Sequence, residues 1–198
     1  MIEVGSDLAL VKTFNDRQRD ILRNAGAVTH LPEGQTIKDQ MEAGKRVEYT
    51  ANAGCILGGF RSRLVEVAFY PASNKFFIPN SFNKTRDEQD ILIEQEAEKL
   101  RRRPGLEGVT IRRPQASEAT GVLFWYFDQE KIRLLGEDYK DQSDGELPTI
   151  ITCTPTNNPR TRFATVGRFV AGKGPSVSDW SYNKPNKFCG VAFWVVPI

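Results

Sequence analysis

Between residues 86 and 103 the apolar positions recur with the spacing of one helical face: Leu92, Ile93, Ala97 and Leu100. The segment also carries its own start and stop. Thr85 and Glu88 form a T-x-x-E pair in which each side chain can satisfy the other residue's backbone N–H. Asp87, Glu88 and Asp90 stand at the beginning and Lys99, Arg101, Arg102 and Arg103 at the end, the order a helix dipole favours. Pro104 and Gly105 close it.

Two shorter helices are expected upstream. In residues 13–26 Asn15 can cap the first turn, Gln18 occupies the reciprocal capping position, and Ile21, Leu22 and Ala25 make a narrow apolar stripe that stops at Gly26. LPEGQT, 31–36, has turn composition, and 36–44 suits another short helix. Residues 64–70 and 75–78 are β-prone runs joined by 71–74, the pattern of a hairpin. Pro71 and Pro79 limit both runs, because neither can donate to a ladder.

Further along, GVLFWYF (121–127) is apolar without a break and mixes aromatic with β-branched side chains, which favours a buried strand. EKIRLLG (130–136) is then its hairpin partner across Asp128 and Gln129. A polar loop (137–148) precedes the apolar PTIITCT (148–154); TNNPRT (156–161) is a turn and RFATVGRFV (162–170) another strand. Residues 171–187 are rich in Gly, Pro, Ser and Asn and suggest a long loop, before CGVAFWVVPI (189–198) closes the chain as a strand. The pattern predicts an α+β fold, with two or three helices mostly in the first half and an antiparallel sheet or sandwich-like, β-rich second half. One domain over 1–198 accommodates it, any subdivision falling near 105–120. No repeat of solenoid period is present.

Composition narrows this picture without naming a function. At 198 residues the chain can fill one sizeable core. An apolar fraction of 39% is low, but twelve Phe, five Tyr and three Trp supply enough to bury that disorder of the whole chain is not expected. A formal charge of +2 gives no general attraction to a polyanion, so any such case rests on local clustering. No stretch reaches eighteen apolar residues, so no membrane span is expected. The first twelve residues carry Glu3 and Asp7 and lack the apolar run of a secretion signal. Cys55, Cys153 and Cys189 are odd in number and widely spaced, which argues against a disulfide scaffold and for a reducing, cytoplasmic or otherwise intracellular setting.

Several mechanisms lack their residues. His30 is the only histidine, which excludes HExxH zinc chemistry and two-histidine metal sites; with no C-x-x-C pair, no metal or cofactor is expected. The three cysteines stand beside apolar residues, as small buried hydrophobes do. GRFVAGKG (167–174) approaches a phosphate loop, but Gly174 stands where Ser or Thr should hold magnesium and no amphipathic helix follows. No G-x-S-x-G elbow is present. The chain therefore reads as a non-enzyme more readily than as an enzyme.

Two basic clusters remain. GGFRSRL (58–64) offers Phe60 for stacking with Arg61 and Arg63 on one side of an extended chain. KLRRRPGLEGVTIRRP (99–114) offers Arg101, Arg102, Arg103, Arg112 and Arg113; a solvated helix end accounts for the first three without any ligand. Together they define a nucleic-acid-binding alternative. A second alternative is a metal-dependent phosphodiesterase using scattered carboxylates among Asp128, Glu130, Asp138, Asp141 and Asp144. The reading preferred from sequence is a non-catalytic protein-interaction or assembly subunit, a structural protein whose partners are another protein or copies of itself. Its aromatic contacts are sought in WSYNKPNKF, where Trp180, Tyr182 and Phe188 stand in a segment otherwise too polar to be buried.

Overall fold

The computed structural model describes residues 11–136, 147–156, 162–181 and 183–198. The first part of the chain runs α1 (Asp16–Asn24), β1 (Val28–His30), α2 (Ile37–Glu42), β2 (Glu48–Tyr49), a 3-10 turn (Ala51–Ile56), β3 (Val67–Phe69), α3 (Ser73–Phe76) and α4 (Arg86–Arg101). The remainder is β4 (Val109–Ile111), α5 (Ala116–Glu130), β5 (Thr149–Pro155), β6 (Arg162–Val170), β7 (Gly174–Ser181), β8 (Cys189–Gly190) and β9 (Val195–Pro197). This is an α+β fold. Reciprocal caps open three of the helices: Asn15 with Gln18, Thr36 with Asp39, and Thr85 with Glu88. Each satisfies two backbone N–H groups that a helix start otherwise leaves to water.

The strands make two sheets. One is antiparallel in the order β1-β3-β9-β4, and the other is mixed, β2-β7-β6-β5-β8. Strand alternation divides the first sheet between two cores. Val67, Phe69, Trp194 and Val196 enter one, whereas Ala68, Tyr70, Val109, Ile111 and Val195 enter the other with Leu22 of α1 and Ala97 and Leu100 of α4. The former core continues through Ala119, Val122 and Leu123 of α5 to Ile150, Ala164, Val166 and Val177 of the second sheet. Helix α5 is thus enclosed between the sheets. The far face of the second sheet is open as a groove, with the start of α4 at one corner, where the Arg86 guanidinium lies 3.5 Å from the Phe163 ring centre.

Enclosure explains the largest departure from the sequence pattern. The apolar run 121–127 forms part of α5, not a strand. A helix buried on every side is apolar around its circumference, which erases the 3.6-residue signature. Nor is 130–136 a hairpin partner: Lys131 adopts φ 61 and ends the helix, Leu134 and Leu135 turn into the core, and Gly136 meets Phe169 in an isolated bridge.

Other segments are corrected in the same way. The expected hairpin of 64–70 with 75–78 yields β3 alone. Residues 73–76 coil into α3, and Phe77 bridges Ala192. The stretch read as a loop from 171 contains β7, whose alternation of Ser176, Ser178 and Trp180 with buried Val177 and Asp179 overrides its Gly, Pro and Ser content. The closing strand divides into β8 and β9, in different sheets. The near-match to a phosphate loop is the β6–β7 hairpin; a strand follows it, not a helix. Most of TNNPRT and of the polar loop 137–148 lie outside the described residues.

Candidate functional site

The open face of the second sheet is assembled by register. Cys189, Thr149, Gly167, Ser176 and Glu48 form a row across all five strands; Ile151, Thr165 and Ser178 form the next, and Phe163 with Trp180 the third. A row five strands wide spans roughly 19 Å. Over it lies a cavity of about 390 Å³, floored by Thr149, Thr165, Ser176 and Ser178 and flanked by Tyr49, Trp180 and Phe188. Gly167 leaves the floor flat: a Cβ there would meet the Pro148 carbonyl oxygen at 2.5 Å and Thr149 Cα at 2.7 Å.

The floor's polar groups differ in their commitments. The Ser176 hydroxyl donates to the Gly167 carbonyl at 3.0 Å, and Thr149 Oγ1 lies 3.0 Å from Cys189 Sγ. Burial pushes the Cys189 thiol up to about 11, so it lines the floor in neutral form. Thr165 and Ser178 face each other across β6 and β7, and neither hydroxyl has a hydrogen-bond partner among the described residues. At Arg168 the backbone takes φ 48 within the β6–β7 bulge, which keeps Phe169 in the core and brings Arg168 to the cavity. An adjoining hollow shares Trp180 and is lined by Lys84, Arg86 and Lys184.

Of the aromatics singled out from sequence, Trp180 and Phe188 therefore meet at one cavity, and Tyr182 lies outside the described residues. The Trp180 Nε1 donates to the Lys184 carbonyl at 2.9 Å and so also fixes its own loop. Phe188 carries the Lys187 ammonium 4.7 Å from its ring centre. Ser178 escaped notice in the sequence because β7 had the composition of a loop, and without that strand neither Thr165 of β6 nor Tyr49 of the two-residue β2 had a partner to mark a shared face. The alternation in GPSVSDWS was the available signal.

The arginines follow a different logic. Arg63 and Arg112 do converge, but upon the buried carboxylate of Glu118, at 2.9 and 2.7 Å. Arg113 is buried against Asp90 at 2.8 Å and Gln89 at 3.0 Å. Arg61 is exposed and pairs with Asp39 at 3.2 Å, Arg101 pairs with Glu94, and Arg102 with Glu98. Phe60 packs half-buried against the α5 core. Arg103 differs: it has no carboxylate partner among the described residues. Asp128 pairs with Lys45, Glu130 is exposed, and Asp138, Asp141 and Asp144 fall outside the described residues. Among the described residues no three His, Cys, Asp or Glu side chains are grouped to hold a metal ion, and no helix is long and apolar enough to cross a membrane.

Cys55 is exposed, Cys153 half-buried and Cys189 buried, so only the last behaves as a small core residue. His30 stacks on Trp125 with ring centres 4.4 Å apart, and burial lowers its pKa to about 4. Comparison of the chain with protein-family models, curated proteins and solved structures finds no match in any of the three.

Proposed function

We propose that the protein is a non-catalytic binding subunit that receives an extended, acidic segment of another protein on the open face of its second sheet. The observation that carries this reading is the juxtaposition of Thr165 and Ser178, two unengaged hydroxyls in register, with the rings of Tyr49, Trp180 and Phe188 around them. Hydroxyls can satisfy the backbone of an incoming chain while aromatic side chains cover its apolar positions. About six extended residues would span the face. Charge selects the sign of the guest: Arg168 and Lys184 line the two hollows beside Lys84 and Arg86, which pair with Glu88 and Asp90 at the edge, and the lining carboxylate of Glu48 is itself paired with Lys173 at 3.4 Å.

A protein guest is favoured over a nucleic acid because six of the arginines that would hold phosphates already face carboxylates. The test is fluorescence anisotropy with three labelled probes: an eight-residue peptide alternating Glu and Val, the same peptide with Lys for Glu, and a single-stranded oligonucleotide. The acidic peptide binds best if the proposal holds. Tighter binding of the oligonucleotide would transfer the face to the nucleic-acid reading.

A further inference from the structure

Away from that face, Tyr70, Phe77, Phe193 and Leu100 line a cavity of about 250 Å³ where α3 and the end of α4 meet the first sheet. Strand alternation sends Tyr70 to this side of β3, opposite Phe69, and its ring meets Phe193 edge-on with centres 5.4 Å apart. Tyr70 is over nine-tenths buried, and its hydroxyl, accessible at the cavity, has no hydrogen-bond partner among the described residues. Burial raises the Tyr70 pKa and the Arg103 charge opposes that rise, so the phenol stays a donor at neutral pH with a guanidinium in its field. Arg103 and Lys75 both line the cavity, and neither has a carboxylate partner among the described residues. The one carboxylate there, Glu96, is held by Lys99 at 2.6 Å.

We infer that this cavity binds a small amphipathic carboxylate, its apolar body against the aromatic wall and its carboxylate toward Tyr70, Arg103 and Lys75. The Tyr70 hydroxyl, Arg103 and Lys75, without a carboxylate partner among the described residues, define the polar end, and charge complementarity sets its sign. The volume exceeds the roughly 150 Å³ that admits one benzene ring, leaving room for a ring with a short chain. The site also gives a role to Arg103, the member of the basic cluster at 99–114 that no carboxylate among the described residues engages.

Isothermal titration calorimetry with 4-phenylbutyrate, and with uncharged 4-phenylbutanol as its control, tests the inference. The expected dissociation constant for phenylbutyrate is about 1 mM or tighter, and the alcohol should bind several-fold more weakly. Arg103→Gln and Tyr70→Phe should each weaken phenylbutyrate by about fivefold, with unchanged melting temperatures. Tyr70→Phe preserves the ring and removes only the hydroxyl. Equal binding of acid and alcohol, unaltered binding by both variants, or no heat at 10 mM phenylbutyrate would overturn the site.

Discussion

Arg63 Nε stands 2.9 Å from Glu118 Oε1, tying the segment before β3 to the first turn of α5. Arg112 takes the second oxygen at 2.7 Å, and the carboxylate is wholly buried. Replacing Glu118 with Gln leaves two partly buried guanidinium groups without the buried counter-charge they share. The expected loss is about 3 kcal/mol in urea denaturation, whereas Arg61→Gln, at an exposed pair, should cost under about 1 kcal/mol. Equal effects would mean that Glu118 does not organise the junction.

Acid should act on the fold in two windows. Burial holds His30 at about 4 in the folded chain against an ordinary 6.5, so the unfolded chain binds its proton first as pH falls. Stability from neutral His30 is present above about pH 6.5 and is lost toward pH 4. Burial alone would raise Glu118, but its hydrogen bonds from Arg63 and Arg112, with their charges, hold it at about 2 against 4.5. Its contribution is present above pH 4.5 and lost toward pH 2. Denaturation midpoints measured from pH 7 to 3 should show the upper window flatten in His30→Phe, which keeps a ring against Trp125. An unchanged profile in that variant would remove His30 from the acid response.

Two glycines of the β6–β7 hairpin should respond differently to a methyl group. Gly172 has φ +78 with open space around it, so Gly172→Ala should cost about 1–2 kcal/mol. At Gly174, φ +81 is joined by a Cβ position only 1.6 Å from the Arg46 carbonyl oxygen, which requires the backbone before β2 to move. Gly174→Ala should lower the melting temperature far more than Gly172→Ala. Equal shifts would show that the β2–β7 contact is not close-packed.

The parts of the fold legible in the sequence were those governed by local chemistry. The Asn15–Gln18 and Thr85–Glu88 caps fix where α1 and α4 begin, and the charge order of α4 fixes its direction. Enclosure concealed α5, because residues such as Val122, Leu123 and Phe124 are buried on successive sides of one helix. Composition concealed β7: pairing with β6 through the hairpin and with the distant β2 turns a Ser-rich stretch into an interior strand. At the candidate site, Trp180 and Phe188 were legible as aromatics in a polar context. Glu118 was not, because its function depends on Arg63, fifty-five residues upstream, and on Arg112 reaching the same carboxylate.

Binding at the open sheet face is tested most directly by removing its unengaged hydroxyls and its best aromatic separately, then titrating the labelled Glu/Val peptide. Thr165→Val with Ser178→Ala deletes only the hydroxyl pair and should weaken binding by about fivefold or more. Trp180→Ala should weaken it by about thirtyfold, the size of an aromatic anchor's loss. Both variants should retain the native circular dichroism spectrum. Unchanged peptide affinity in both folded variants would contradict a guest on this face.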